Sequence, residues 1–248
     1  GGHLREEPRR DGGGARRRRE LVVTEGVTPV LHEADDPRRI VADGYDAIAE
    51  RYFAWSDARP SPPRLAWLAR TLERVPAGSD VLDLGCGAGV PMTRALADGR
   101  AVTGVDISAR QIELARAAVP GARFIHADMT ALELPSDSLD AVVAYYSLTH
   151  VPRADLPELL AAIHRWLRPG GVLVATMGAQ DSPDAVEHDW LGATMFFSHY
   201  GAKKNRALVR RAGFEIELAV VEEEPEDRHA ALFLWVIARK PAEPSVHV

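Results

Sequence analysis

Val81-Leu82-Asp83-Leu84-Gly85-Cys86-Gly87-Ala88-Gly89 reads as a short apolar strand running into a glycine-dense turn, and the residues from Pro91 to about Asp98 read as the helix that follows. Glycines permit positive φ and let bare backbone approach a ligand closely. A helix that opens directly after such a turn presents unpaired N–H groups and the positive end of its dipole. The stretch therefore suits a nucleotide-type ligand, although an ordinary strand-to-helix turn would look similar.

The neighbouring segments carry the reading further. Ala101-Val102-Thr103-Gly104-Val105 is a second buried-type strand, and it stops at Asp106. An acidic residue about 20 positions past the glycine turn is where a ribose diol is held in Rossmann-like sites. Arg123-Phe124-Ile125-His126-Ala127 is a third strand and ends at Asp128. Three strands thus bring carboxylates to one edge of one sheet; three helix-capping aspartates are the plainer alternative. A dinucleotide fingerprint needs Gly or Ala at its sixth position, and Val90 stands there instead.

The Gly-x-Gly-x-Gly pattern with Asp83 ahead of it, together with Gly104-Val105-Asp106, Ala127-Asp128-Met129 and Leu167-Arg168-Pro169-Gly170-Gly171, resembles the class I S-adenosylmethionine-dependent methyltransferase family over roughly residues 40–240. The resemblance implies S-adenosylmethionine as cofactor and S-adenosylhomocysteine as its product. It places Gly85, Cys86, Gly87 and Gly89 against the methionyl part and ribose, and Asp83 near the ammonium group. Asp106 would accept both ribose hydroxyls and Ile107 would touch the adenine face. Asp128 would accept from the adenine amino group and the Met129 backbone would donate. Gln111 and Tyr145 complete the implied cofactor set, with Tyr45 and Tyr52 reaching it from a helix folded over the cavity. A doubly wound, Rossmann-like α/β fold follows: a seven-stranded sheet, mostly parallel with an antiparallel terminal strand, under a helical N-terminal lid.

Residues 1–38 hold glycine clusters and the run Arg16-Arg17-Arg18-Arg19 with little apolar periodicity, and a disordered tail is expected. A basic arm for nucleic acid is the alternative. Residues 39–240 form the expected methyltransferase domain, with 39–76 as lid and N-terminal helices, 178–200 as a substrate-covering insertion and 241–248 as a tail. Val41, Tyr45, Ile48, Tyr52 and Trp55 fall on one stripe of a helix over 39–55. A second helix carries Leu65, Leu68, Leu72 and Val75. Further strands are expected at 139–144, 172–176, 214–221 and 231–239, and helices at 108–118, 153–166 and 202–212, with Glu222-Glu223-Glu224-Pro225-Glu226-Asp227 as an acidic turn. Residues 178–200 show no regular period.

A net charge of −6 argues against a nucleic-acid surface spread over the chain. Cys86 is the sole cysteine, which excludes an internal disulfide. No apolar run reaches the ~20 residues that span a bilayer. With no signal-type apolar segment either, a cytoplasmic monomer or homodimer acting on a small molecule is expected.

Methyl transfer from a sulfonium needs mainly positioning and exclusion of water. A hydroxyl or acidic carbon acceptor also needs a base. His150, in Tyr145-Tyr146-Ser147-Leu148-Thr149-His150-Val151, has the titration range for it, with a purely structural role as the plainer alternative. His199 is the second candidate. Tyr146, Trp190, Met195, Phe196 and Tyr200 are candidate acceptor-lining residues. Asp181, Asp184, Glu187, His188 and Asp189 show no metal-ligand spacing, and no metal is expected. Oxygen of a metabolite is the favoured acceptor. An RNA or protein methyltransferase, or a cofactor-binding protein with a different reaction, are the alternatives.

Overall fold

The computed structural model describes residues 36–58, 62–225 and 230–242. Arg16 to Arg19 and residues 243–248 of the expected tails lie outside them. In chain order the elements are α1 (Pro37–Ala58), α2 (Pro62–Arg74), β1 (Asp80–Leu84), α3 (Met92–Leu96), β2 (Ala101–Asp106), α4 (Ala109–Ala118), β3 (Arg123–His126), β4 (Leu139–Ala144), α5 (Leu156–Trp166), β5 (Leu167–Gly178), β6 (Ser182–Trp190), β7 (Ala193–His199), α6 (Ala202–Arg211), β8 (Glu215–Pro225) and β9 (Ala230–Arg239).

Seven strands form one sheet in the order β3-β2-β1-β4-β5-β9-β8. Its first five strands run parallel, with Leu82 beside Thr103 on one side and Val142 on the other. β9 is antiparallel to β8, because their connection is too short for a crossover, and it also pairs antiparallel with β5. Strand order reverses between β1 and β4, so the carboxyl ends of these two strands flank a crevice.

Both faces of the sheet are covered, which is why its strands read as apolar runs. Leu82, Leu84, Val142, Ala144 and Leu173 point to the face that α5 fills with Leu159, Leu160, Ile163 and Trp166. Val81, Val102, Ala141, Val143 and Val174 point the other way, to Trp67 and Leu68 of α2 and Leu96 of α3. There the indoles of Trp67 and Trp235 stack with centroids 4.9 Å apart and planes 7° from parallel.

Residues 178–200 are not irregular. They form the antiparallel hairpin β6–β7, with Trp190 paired to Ala193 across a two-residue turn. Leu191 and Gly192 both have positive φ (50° and 85°), the primed-turn backbone that matches strand twist. The hairpin leans on α1. At the crossing, a Cβ on Gly44 would lie 2.5 Å from the Thr194 carbonyl oxygen and 2.9 Å from Met195 Cε. Arg51 Nη1 donates to the Leu191 carbonyl at 2.6 Å.

α1 begins at Pro37, so Pro37 and Arg38 belong to the helix and not to the tail. Asp36 caps it by accepting from the Arg38 N–H at 3.0 Å. At its middle, Asp46 accepts from Ser108 Oγ (2.5 Å) and the Arg110 N–H (3.0 Å), so a side chain of α1 helps to cap α4. The expected acidic turn is also shorter than read: β8 continues through Glu222 and Glu224 to Pro225.

Candidate active site

β1 ends at Leu84 and the chain turns on Gly85, Gly87 and Gly89, with φ of 70°, 53° and 77°. Gly85 is required twice over. Besides its φ, a Cβ there would sit 2.2 Å from Ser147 Cβ. The Gly85 and Cys86 N–H groups donate to the Val105 carbonyl at 2.8 and 3.0 Å, pinning the turn to β2. Gly87 N–H donates to Asp106 Oδ2 (2.8 Å) and Ser108 N–H to Asp106 Oδ1 (2.9 Å). Asp106 is buried. Desolvation pushes its carboxyl above the ordinary value, against the two N–H donors. Each oxygen keeps a lone pair beyond these bonds.

Asp83, one turn deeper, is 2% exposed and accepts from Thr93 Oγ1 at 2.6 Å. Burial lifts its carboxyl to about 7, and the nearby Asp106 adds to the rise. Gln111 is buried behind Gly87 with neither amide atom hydrogen-bonded among the described residues. Cys86 lines the same cavity, but burial pushes its thiol up, so it is no nucleophile.

At the far end Asp128 opens a 3-10 turn, Met129–Ala131, and accepts from the Thr130 N–H (2.8 Å) and hydroxyl (2.7 Å). Arg38 Nε also donates to Asp128 Oδ2 at 2.8 Å, and Arg38 Nη2 reaches Asp155 at 2.7 Å. Arg38 thus ties α1 over this carboxylate, a residue that the sequence reading left in the tail. The Asp36-Pro37 pair, an N-cap followed by proline at N1, was the available signal.

α1 forms the opposite wall. Tyr45 meets Tyr52 and Trp190 edge-on, with centroids 5.3 and 5.7 Å apart. The His150 ring is bonded at both nitrogens, Nδ1 to the Phe196 carbonyl (2.8 Å) and Nε2 to the Tyr45 hydroxyl (2.9 Å). A carbonyl only accepts, so Nδ1 carries the hydrogen, Nε2 accepts and Tyr45 donates. Burial, joined by His199, pushes His150 down to about 4 despite the Phe196 carbonyl. His150 reaches the cavity, but the lone pair expected to act as base is covered by Tyr45.

Tyr145 gives its hydroxyl to a 2.5 Å bond with Thr71, leaving its ring for the cavity. Tyr146 has φ 60°, and its hydroxyl donates to the buried Glu224 at 2.7 Å. The Arg64 guanidinium lies 4.6 Å over the Tyr146 ring. Strain of this kind in a non-glycine residue persists where surrounding structure imposes it. Arg64 and Glu224 carry no motif, and nothing in the sequence pointed to them.

Several other candidates fall elsewhere. Met195 and Phe196 are fully buried under Val41, in the seam between α1 and the hairpin, and do not line the cavity. Tyr200 packs between Arg153 and Lys204 at the foot of the hairpin. His199 is bonded through Nδ1 to the Gln180 carbonyl (2.7 Å) in that region, away from the cavity. Trp190 stands behind Tyr45 and His150 as support. In the acidic stretch, Asp181 pairs with Arg153 and Asp184 accepts from Ser198, and among the described residues no group of His, Cys, Asp or Glu is arranged around a metal position. No helix among them is long and apolar enough to cross a membrane.

What remains is one continuous groove. A central part of about 470 Å³ runs between Val41, Tyr45 and Tyr52 on one side and Gly85, Asp106 and Ser147 on the other. It joins a part of about 510 Å³ at Asp83, Arg64 and Pro91, and one of about 390 Å³ at Ile107, Asp128 and Met129. Along it stand a buried carboxyl fit for a cation, a carboxylate with spare lone pairs fit for a diol, and an apolar slot edged by Asp128 fit for a planar base. That donor set fits the ammonium, ribose and adenine of S-adenosylmethionine in sequence.

Comparison with known proteins agrees. A family profile described as a methyltransferase domain matches residues 81–171. The methyltransferase GfsG of Streptomyces halstedii is 31% identical over 215 residues, which cover 75% of this chain and 77% of that one. The chain belongs to the class I S-adenosylmethionine-dependent methyltransferase family. This methyltransferase is also 39% identical over 103 residues to a demethylmenaquinone methyltransferase of Clavibacter sepedonicus, but spans only 40% of that relative's length, the match covering 40% of the present chain. Among solved structures, the 1,6-didemethyltoxoflavin-N1-methyltransferase of Burkholderia thailandensis, with 1,6-didemethyltoxoflavin and S-adenosylhomocysteine bound, shares the fold. It superposes with a TM-score of 0.63 at 22% identity, over 86% of this methyltransferase and 94% of its own chain.

Proposed function

We propose that this methyltransferase moves the methyl group of S-adenosylmethionine to a small-molecule acceptor, with oxygen as the favoured acceptor atom. The observation that carries the reading is the single groove in which Asp83, Asp106 and Asp128 follow one another beneath α1. In this reading Asp83 takes the ammonium, the outward lone pairs of Asp106 take the ribose hydroxyls, and Ile107, Asp128 and Met129 take the adenine. Tyr52, Tyr145 and Tyr146 line the methionyl end. When bound, the cofactor supplies an electrophilic methyl carbon on a sulfonium. The chain's own share is to hold the acceptor in line and to keep water out, which the aromatic wall of α1 serves. Two of the relatives named above are named for small molecules, demethylmenaquinone and 1,6-didemethyltoxoflavin. Oxygen is favoured because Tyr45 and His150 offer the groove a route for an acidic proton.

Calorimetric titration with S-adenosylhomocysteine tests the site. Asp106→Ala is expected to weaken binding by about 1–3 kcal/mol, the cost of an unmet charged hydrogen bond. Unchanged affinity would remove Asp106 from the site. Incubation with methyl-labelled cofactor and a metabolite extract tests the acceptor class, and label recovered in RNA or protein would overturn the small-molecule reading.

A further inference from the structure

We propose that the Tyr45 hydroxyl is the group that receives the acceptor's proton, and that it passes its own proton to His150. The inference rests on the function proposed above and adds a catalytic residue to it. Its basis is the chain Tyr45 Oη–H to Nε2, and Nδ1–H to the Phe196 carbonyl, at 2.9 and 2.8 Å. The carbonyl belongs to a β-strand whose peptide cannot turn, so the ring is held in one tautomer with its lone pair on Tyr45. Tyr45 itself is held edge-on by Tyr52 and Trp190, and lines the central groove. His150 alone is a poor partner for the acceptor, because its only basic nitrogen is behind the phenol.

As the acceptor oxygen gains the methyl, its O–H bond breaks and the proton goes to Tyr45 Oη, while the Oη–H proton goes to Nε2. The carbon–sulfur bonding pair stays on sulfur, so the sulfonium becomes an uncharged thioether and His150 becomes an imidazolium. Tyr45 ends neutral. The groove begins and ends with one positive charge in this exchange, moved from sulfur to the ring. This resolves an apparent difficulty: burial that makes His150 a weak base in the free protein opposes a second cation, and the first cation has gone by the time the ring is charged. The groups around the ring are Tyr45 from α1 and Trp190 and Phe197 from the hairpin, with His199 at the hairpin's foot disfavouring a charge on it.

Histidine ¹⁵N spectra of the wild type and Tyr45→Phe, taken free and saturated with S-adenosylmethionine or S-adenosylhomocysteine, test this without turnover. Expected are a neutral His150 with its hydrogen on Nδ1 at pH 7, and a Tyr45→Phe change confined to Nε2. The protonation midpoint of His150 should lie higher with S-adenosylhomocysteine than with S-adenosylmethionine by about 0.5 pH unit or more, since one cation is gone. A hydrogen on Nε2, or coincident midpoints, would overturn the relay. Failure of both compounds to bind would instead strike the function proposed above, and the tautomer would still be readable. In the labelled-extract assay at saturating S-adenosylmethionine, Tyr45→Phe should transfer methyl about 10²-fold more slowly. Adding His150→Gln should cost nothing further, because the pair acts as a unit; wild-type transfer by Tyr45→Phe would overturn the assignment.

Discussion

The Asp83 carboxyl stands at about 7 in the free protein, raised first by burial, against the Thr93 hydroxyl that favours the anion. A carboxyl that is harder to ionise folded than unfolded stabilises the fold below its unfolded value, ordinarily 3.8, and that contribution is lost as pH rises through about 7. Asp83→Asn keeps an oxygen for Thr93 and cannot ionise. Its stability relative to wild type is expected to rise from pH 5 to pH 8, in urea titrations at the two values. A bound ammonium reverses the preference by favouring the anion, so S-adenosylhomocysteine binding near pH 6 should release a proton, seen as a buffer-dependent enthalpy. The sequence placed Asp83 in the site through its position ahead of the glycine turn. It could not show the burial that sets its protonation, since that depends on α3 closing over it. Arg38 differs: the Asp36-Pro37 signal for a helix start is present in the sequence, yet residues 1–38 are expected there as tail, and its contact with Asp128 needed the fold.

At the scale of elements, the β6–β7 hairpin escaped the sequence for a physical reason. Its first strand is largely polar, Ser182-Pro183-Asp184 through Glu187-His188-Asp189, because only one side leans on anything. Its turn is Leu191-Gly192, without the Asn-Gly signature that usually announces positive φ at both positions. Leucine in that backbone is costly, and Leu191→Asn is expected to stabilise the protein by about 0.5–1 kcal/mol in urea unfolding. Gly44 shows how the hairpin and α1 depend on each other. In a free helix Gly→Ala would help, but here the new methyl meets a backbone carbonyl, so Gly44→Ala is expected to cost about 1–3 kcal/mol and to weaken S-adenosylhomocysteine binding. A stabilised Gly44→Ala protein would mean that α1 does not cross β7 so closely. The alternating strands and helices from β1 to β4 were legible because their periods are regular, whereas β5 begins at Leu167, ahead of the expected 172, with Pro169-Gly170-Gly171 inside it. The reach of β8 through Glu222 and Glu224 was not, since charge there reads as a turn until Trp67 Nε1 and the Tyr146 hydroxyl are seen to donate to these carboxylates.

For the molecule as a whole, the reversal of strand order between β1 and β4 fixes where a ligand can lie, and the glycine turn in the sequence already marked that place. The cover over it was only half visible: the stripe on α1 and the covering place of residues 178–200 are legible, but the hairpin that the latter form is not. α2 is seated on the core. Trp67 is fully buried, stacks on Trp235 of β9 and donates to Glu222 of β8 at 3.0 Å. Trp67→Ala is expected to cost about 3–5 kcal/mol in urea unfolding, among the largest losses available to a single substitution here. The same stack has an optical consequence. Two nearly parallel indoles 4.9 Å apart are close enough for their excited states to mix. Both rings are fully buried, so their emission should shift to longer wavelength whenever α2 lifts from the sheet and wets them, giving a label-free signal of docking.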